Sequence, residues 1–401
     1  MTGEPVAEGT PPAADPGFEP TLAAARQRIA AVQPSTYART RNALEGAVSR
    51  LSPYITHGFV TLPEVWSGVA SRHVIGPQDK FVFELGWRAY YRHVWEHRGD
   101  AIFSSLHEGL LPEHAYLSEI PDDIRSACTG VPVVDQAVNE LYATGYVHNH
   151  ARMWLASYVV HIRKVHWRVA ADWMYGHLLD GDLASNHLSW QWVAGTGSVK
   201  PYLFNADNVA RYAPAPWHSP GTVIDTSYEA LDRIARDETP RLEPRPPVQQ
   251  ADDFNEPPLL AQPPDQVFMS APNGDRVAGR DVWLVHPWSL GELPENLPTD
   301  AVVIGVFVTD FHRAWPWSAR RWQFVGMRMA ELATEVWCAD AARIGTALAT
   351  ARSVRCLDEP HLKPWLARWA RCEPVAALFA PVERRCDAFS KWWARVGRTA
   401  S

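Results

Sequence analysis

A proline-dense segment between residues 239 and 275 constrains the fold of this chain more than any other feature of its sequence. It reads TPRLEPRPPVQQ, then EPPLLAQPPDQ, then APNGD. Proline lacks a backbone N–H and fixes φ, so such a stretch cannot hold a helix or a central strand. We therefore predict a linker over residues 239–278. A chain of 401 residues is long enough for a separate domain on each side of it.

The part before the linker, residues 21–238, has the apolar periodicity of helices. One stripe of a helix with about 3.6 residues per turn, for example, passes on or near Leu141, Val147 or His148, Arg152, Leu155, Val159 and Ile162. This periodicity predicts an all-α domain. The first twenty residues are acidic and rich in Pro, Ala and Gly, without the basic start and apolar stretch of a signal peptide. They predict a disordered tail over residues 1–20.

The part after the linker, residues 279–398, alternates short apolar runs with helical stretches. This alternation predicts a parallel, doubly wound α/β sheet of Rossmann-like type. The apolar runs are Val282–His286, Ala301–Val308, Glu335–Ala339, Val354–Leu357 and Val375–Ala380. The helical stretches are Ala319–Ala333, Ala341–Ala349, His361–Ala370 and Glu383–Val396.

Charge and cysteine content narrow the functional classes. The formal net charge is −7, so the molecule as a whole lacks the excess of positive charge that is typical of nucleic-acid-binding proteins. A local basic groove is compatible with this net charge. The five cysteines form no CxxC pair, which is typical of reduced thiols and predicts a cytoplasmic protein. The sequence has no run of about eighteen apolar residues, so we predict no membrane span.

Two short patterns resemble a phosphate-binding loop and a metal site, but their residue spacing does not match either kind of site. The loop Gly195–Lys200 has two glycines beside a threonine, but it lacks the GxxxxGK[ST] order of a phosphate loop. His148 and His150, with His161 and His166 downstream, do not have the i,i+3 or i,i+4 spacing of helical metal ligands. We therefore predict no metal site.

The segment Leu179–Trp192 combines two acids, an asparagine and two tryptophans with apolar residues. One interpretation is a helix N-terminus, with Asp180 or Asp182 as the cap and the tryptophans in the core. The other is a polar site, because Arg152 lies inside an apolar helix and needs a buried acid. Asp180 is the obvious candidate for that acid.

Several motifs resemble the FAD-binding helical domain of photolyases and cryptochromes, in the order that this family has them. They cover about residues 37–202 and are SRLSPYITHG (49–58), FELGWRAYYRH (83–93), TGVPVVDQAVNELYATGYVHNHARMWLASYVVHIRKVHW (129–167), LLDGDLASNHLSWQWVAGTG (178–197) and KPY (200–202). The resemblance implies FAD as the cofactor.

The resemblance also implies a role for each matching residue. Contacts to the flavin phosphates and ribose would come from Tyr37, Ser49, Leu51 and Ser52. Asp180 and Arg152 would form an ion pair against the isoalloxazine ring, Asp182 would bind its pyrimidine edge, and Asn186 would face N5. Asn149 and Met153 would line the lesion cavity, which Glu84, Trp87 and Trp192 would complete.

Electron transfer and DNA contacts follow the family pattern only in part. Trp190 and Trp167 match the first two members of the family's tryptophan chain. The loop 104–126, which should hold the third, has no tryptophan, and this departure predicts that photoreduction is slow or ends on Tyr116. Arg41 matches a DNA-facing arginine, and His150 stands where a basic cavity residue is common.

Further departures from the family pattern affect the phosphate site and the cavity. Val48 replaces a threonine of the phosphate site, and Phe204 stands where an arginine often follows. Fewer cavity cations would weaken phosphate contacts.

The C-terminal part resembles the family's α/β domain through VVIGVFVTDFHRAWPWSARRWQFVGMRMAEL, residues 302–332. In the family that domain precedes the helical one, and here it follows. HPWSLGEL replaces the usual text after the first strand, so the resemblance does not extend to an antenna chromophore.

The resemblance implies a light-driven, FAD-dependent lyase that splits cyclobutane pyrimidine dimers in UV-damaged DNA. Asn149 and Met153 favour this lesion over the (6-4) photoproduct. An alternative is a cryptochrome-like blue-light photosensor with a signalling partner, and a third is a flavoenzyme with a small-molecule substrate. Fold-level likeness does not decide among them.

Overall fold

A computed structural model describes residues 17–242, 256–264 and 269–396. Most of the predicted tail, residues 1–16, lies outside the described residues. So do residues 243–255 and 265–268 of the predicted linker and the last two residues of the predicted α/β domain.

The N-terminal part is helical, as the apolar periodicity predicts, but the stripe predicted from Leu141 to Ile162 is not one helix, because Gly145 ends the helix Pro132–Thr144 at a φ of 69° and the next helix begins at Asn149. A single turn of π-helix, Tyr158–Ile162, continues α8. The α-helices are α1 (Leu22–Ala31), α2 (Pro34–Thr40), α3 (Ser52–Thr56), α4 (Leu62–Ala70), α5 (Lys80–Arg98), α6 (Asp122–Arg125), α7 (Pro132–Thr144), α8 (Asn149–Ser157), α9 (Trp167–His177), α10 (Leu183–Ala194), α11 (Ala206–Tyr212) and α12 (Tyr228–Arg236).

Local sequence signals set the ends of α10, the helix that matters most for the site. Asp182 caps its start, because its side chain accepts a hydrogen bond from the backbone N–H of Ser185. Gly195 ends the helix at a φ of 79°, in the left-handed region that glycine adopts without a steric penalty. Between these ends, His187, Leu188 and Trp190 are buried.

The C-terminal part is a parallel α/β sheet, which confirms the predicted class of this domain. Six strands run in the order β2-β6-β4-β3-β7-β8, and each neighbouring pair is parallel. The strands are β1 (Leu259–Leu260), β2 (Met269–Ser270), β3 (Asp281–Val285), β4 (Val302–Val308), β5 (Trp317–Ser318), β6 (Glu335–Ala339), β7 (Ser353–Leu357) and β8 (Arg371–Glu373). The helices are α13 (Thr309–Ala314), α14 (Ala319–Leu332), α15 (Ala341–Leu348), α16 (Lys363–Trp369) and α17 (Phe389–Val396).

Two short strands lie within the segment predicted as a linker. Leu259–Leu260 pairs with β5, and Met269–Ser270 joins the large sheet beside β6. The second is an edge strand, the position in a sheet where neighbouring prolines are tolerated.

The prediction of a strand at Val375–Ala380 is wrong. The last strand, β8, ends at Glu373, and Pro374 follows it without an N–H to continue the ladder. Phe379 is instead buried against the ring of Trp392, at a centroid distance of 5.5 Å. Within this apolar run it is therefore Phe379 that packs on the C-terminal helix α17.

The two parts share one hydrophobic core. A continuous cluster of buried side chains joins Tyr54 and Phe59 of the helical part to Phe324 of α14. The ring centroids of Phe59 and Phe324 lie 5.2 Å apart. A second core, which includes Trp154 and Leu155, lies within the helical part.

Helix α17 packs along α5. The ring of Phe389 stacks on Trp87 at 4.0 Å, with an angle of 11° between the planes. Gly86 permits this approach, because a Cβ there would lie 2.4 Å from the ring of Trp393. The last described helix therefore covers one side of the helix that carries Glu84 and Trp87.

Candidate functional site

Two adjoining cavities open between α5, α8 and α10. The inner one has a volume of about 260 Å³ and the outer one about 460 Å³, within the range of ligand sites (about 300–1,000 Å³) when taken together. They share the lining residues Ser52, Glu84, Tyr146, Asn149 and Met153.

Most residues singled out from the sequence line these cavities. The inner cavity is lined by Trp87, Arg152, Asp180, Asp182, Asn186 and Trp190, besides the shared residues. The outer cavity is lined by Tyr37, Arg41, Val48, Ser49, Leu51 and His150. Trp167 and Trp192 are not among the lining residues of either cavity.

The ion pair predicted between Arg152 and Asp180 forms. The Nη2 atom of Arg152 lies 3.0 Å from Oδ1 and 2.9 Å from Oδ2 of Asp180, and its Nε donates to the carbonyl of Val147 at 2.7 Å. Burial disfavours the guanidinium charge, but Asp180 outweighs it and raises the pKa of Arg152. The pair therefore places an ionised guanidinium together with its counter-charge in the wall of the inner cavity.

Asp182 has both roles that its sequence context suggests. Its Oδ1 accepts from the Ser185 N–H at 2.8 Å and caps α10, while its Oδ2 accepts from Nη2 of Arg92 at 2.6 Å. Burial favours the neutral acid, but Arg92 and Arg88 hold the pKa of Asp182 well below its usual range. The carboxylate is ionised, and each oxygen keeps a lone pair for a further donor.

Asn186 and Ser185 offer hydrogen-bonding atoms to the inner cavity. The side-chain N–H of Asn186 donates to the carbonyl of Ala171 at 2.8 Å, which leaves Oδ1 as an acceptor. Among the described residues, the buried hydroxyl of Ser185 has no hydrogen-bond partner. In the outer cavity, the buried Nε2 of His148 likewise has none. Such unpaired atoms are costly unless a polar ligand meets them, so the walls fit a polar cofactor.

The sequence analysis missed two arginines on α5, one in the wall of the inner cavity and one that contacts Asp182 from behind it. Arg88 lines the inner cavity and donates to Oγ1 of Thr56 at 2.7 Å. Arg92 contacts Asp182, as described above. Both follow Glu84 at steps of four residues, so the helical periodicity of α5 was the signal that could have identified them.

The residues expected to contact DNA or the lesion have partners within the protein. Nη1 of Arg41 lies 3.1 Å from Oε1 of Glu84, and each side chain is about one-third exposed. Burial raises the pKa of Glu84, and Arg41 partly opposes this. Burial lowers the pKa of His150, whose Nδ1 lies 2.7 Å from the carbonyl oxygen of Asn42. His150 therefore supplies no positive charge at neutral pH.

The tryptophans differ in their placement. Trp190 is buried in the cavity wall, and Trp167 donates from Nε1 to Oγ of Ser105 at 3.0 Å. From Trp167, ring contacts lead through His166 (5.8 Å) to Tyr116 (6.1 Å), the residue considered as an end point for photoreduction. Trp192 is 37% exposed and lies 5.8 Å from the ring of Tyr202.

Phe204, at the position where the family often has an arginine, is a core residue. It is buried and stacks against Trp154 at a centroid distance of 6.2 Å. Within the described ranges of the chain, no three His, Cys, Asp or Glu side chains are grouped to hold a metal ion. No helix in those ranges is long and apolar enough to cross a membrane.

Comparison with known proteins finds similarity in the helical part. Residues 81–215 match the family model described as the FAD binding domain of DNA photolyase. The deoxyribodipyrimidine photo-lyase of Streptomyces griseus is 37% identical over 155 residues, which are 38% of this chain and 33% of that protein. The photo-lyase of Synechococcus sp. is 32% identical over 184 residues, 42% of this chain and 37% of that protein.

A cryptochrome DASH and a solved structure also match only part of the chain. The cryptochrome DASH of Idiomarina loihiensis is 31% identical over 170 residues, 41% of this chain and 38% of that protein. The matches thus span less than half the length of these curated relatives. The crystal structure of a Synechocystis sp. cryptochrome aligns with a TM-score of 0.43 and 23% identity, over 55% of this chain and 52% of that one.

Proposed function

The helical part of this chain belongs to the photolyase/cryptochrome family, and we propose that the chain binds FAD in the two adjoining cavities and splits cyclobutane pyrimidine dimers in DNA under blue light. One observation carries the proposal. The Arg152–Asp180 pair, Asp182 and Asn186 line the same inner cavity as Glu84 and Trp87, so groups suited to a flavin adjoin groups suited to a base.

The cavity residues would bind and orient the cofactor. Bound FAD, in its reduced and excited form, would supply the electron that opens the dimer and that returns once the ring has opened. Arg152 and Arg88 would stabilise negative charge on the ring, and the carboxylate of Asp182 would accept from an N–H at its edge. Ser49 and Ser52 of the outer cavity would donate to the phosphates. Apolar walls around these groups strengthen each interaction by excluding water.

The α5 side of the cavity would receive the lesion. A fused base pair must leave the duplex stack to reach the cavity, as photolyases require of their substrate. Because Phe389 covers one face of Trp87, only the other face is open for stacking, worth roughly 1–3 kcal/mol per base. Glu84, whose pKa is raised by burial, would steady a base carbonyl when protonated.

A blue-light photosensor is the second candidate, and a specific observation favours it. Arg41 is paired with Glu84, and His150 is neutral, so two positions expected to attract DNA phosphates carry little free positive charge. Such a surface weakens DNA binding and leaves the flavin cavity intact.

We also propose that the C-terminal sheet corresponds to the α/β domain that precedes the helical one in this family. The shared core makes such a change of order compatible with one fold, since domain contacts do not depend on the order of segments along the chain.

The test is repair by the purified chain. We expect it to bind FAD, and we expect the reduced form to restore thymine absorbance in a dimer-containing oligonucleotide under blue light but not in the dark. Asp180→Asn should abolish FAD binding and repair. Asp232→Asn, which alters an exposed carboxylate paired with Arg236, should leave both intact. A flavin-loaded, reduced protein without repair would refute the lyase and leave the photosensor.

A further inference from the structure

The loop between α9 and α10 contacts the α/β domain through backbone atoms. Nη2 of Arg321, on α14, donates to the carbonyl of Gly181 at 2.5 Å. The backbone N–H of Leu183 points to Nε2 of His361 at 3.4 Å. The loop that carries Asp180 and Asp182 into the cavity is therefore held by residues more than a hundred positions further along the chain.

Arg92 joins the carboxylates of the two domains. Its Nη2 donates to Oδ2 of Asp182 at 2.6 Å, and its Nη1 donates to Oε1 of Glu359 at 2.7 Å. The side chains of Asp182 and Glu359 are 0% and 7% exposed, so solvent screens this contact weakly. The fork of one guanidinium thus fixes the distance between the cavity carboxylate and the sheet domain.

His361 holds the other end of this arrangement. It is buried, stacks on Trp288 at 4.3 Å with an angle of 11°, and its Nδ1 donates to Oε1 of Glu359. Because Nδ1 carries the proton, Nε2 is the acceptor for the Leu183 N–H. Burial lowers the pKa of His361, which agrees with this neutral form.

We propose that Glu359 and His361 are positioning residues of the cofactor cavity, through which the α/β domain fixes Asp182 and sets the redox potential of the bound flavin. Glu359 acts through Arg92, and His361 acts through Leu183 and Glu359. This role rests on the proposed FAD binding and adds a residue pair outside the matched helical part. Within the described chain, no other carboxylate forms an ion pair with Arg92 besides Asp182 and Glu359.

The sign of the effect follows from charge. Glu359→Gln removes one buried negative charge that Arg92 links to the cavity carboxylate Asp182, so added electrons on the flavin are less disfavoured and its midpoint potential should rise. We expect about a tenfold change in the ratio of reduced to oxidised flavin at a given potential. For a two-electron couple this is about 30 mV.

The experiment compares flavin-loaded variants by spectroelectrochemistry. Glu373→Gln is the matched control, because Glu373 pairs with Arg355 at 2.6 Å in the same domain and lies outside the cavity lining. We expect Glu359→Gln to raise the potential relative to both wild type and the control, and Glu359→Asp, which keeps the charge, to restore most of the difference. Equal potentials in Glu359→Gln and Glu373→Gln would overturn the role.

A second variant covers the case in which Glu359→Gln does not fold. His361→Phe keeps the ring against Trp288 and removes both hydrogen bonds of the imidazole. We expect it to raise the dissociation constant of FAD about tenfold with an unchanged far-ultraviolet circular dichroism spectrum. An unchanged dissociation constant would overturn the role of His361. A wild-type chain that binds no FAD would instead refute the proposed function, and with it this role.

Discussion

Replacing Asp180 with asparagine tests whether the cavity pair is a buried ion pair in the protein without any cofactor. The side chain of Asp180 is 4% exposed and that of Arg152 is 22% exposed. Removing the carboxylate charge leaves the guanidinium partly buried without a counter-charge, which costs about 3–5 kcal/mol for a fully buried pair. Because Arg152 is partly exposed and keeps its bond to Val147, we expect a loss of about 2–3 kcal/mol of unfolding free energy.

The assay is urea denaturation of the apoprotein, followed by tryptophan fluorescence and by circular dichroism. Asp232→Asn is the matched control, because that carboxylate forms an exposed i,i+4 pair with Arg236, a pair type worth about 0.3–0.5 kcal/mol. We expect Asp180→Asn to lower the unfolding free energy several-fold more than the control. If the two variants lose the same amount, Arg152 is solvated in the apoprotein and the argument from burial fails.

Three further predictions concern acid stability, the C-terminal helix and photoreduction. Burial raises the pKa of Glu359, but Arg92 and His361 outweigh this effect and lower that pKa to about 2, below the value of about 4.3 in the unfolded chain. The ionised carboxylate therefore stabilises the folded protein above the unfolded-chain pKa, and this stabilisation is lost as the pH falls through the pKa of the folded state. We therefore expect acid unfolding between about pH 5 and pH 2 to be less steep in Glu359→Gln, measured by circular dichroism. Phe389→Ala should cost about 3–5 kcal/mol in urea denaturation, because the buried ring leaves a cavity against α5; no loss would mean that α17 does not pack there in solution. Trp190→Phe should slow flavin photoreduction by an external thiol, and Trp217→Phe, outside the cavity lining, should not; equal rates would exclude Trp190 as the electron donor.

The sequence predicts the local structure of this chain well, because apolar periodicity is itself local. It identifies the N-terminal part as helical, without the bounds of its helices, and four of the five predicted strands of the sheet. The fifth prediction, Val375–Ala380, is wrong because apolar content alone does not register that Pro374 ends the ladder at Glu373.

The contacts of the candidate site likewise fall into those that the sequence can predict and one that it cannot. The Arg152–Asp180 contact is predictable, since a charged residue in an apolar helix needs a counter-charge nearby. Arg88 and Arg92 were predictable from their spacing to Glu84 on one helix. The contact of Glu359 with Arg92 was not, because the two residues are 267 positions apart and only the docking of two domains brings them together.

That docking also bears on what the sheet does. In open α/β sheets, ligands bind in the crevice at the carboxyl ends of the strands, where the strand order reverses. Here the order reverses between β3 and β7, and the loops that follow these strands carry Trp288 and His361. The two rings stack on each other, and His361 receives the Leu183 N–H of α10, so side chains of the described residues occupy this position. The usual ligand position of such a sheet is thus the contact surface for the helical part. The α/β domain then contributes by fixing the position of Asp182. We therefore expect changes in this domain to alter the redox potential of the flavin, and we do not expect the sheet to bind a ligand at this position.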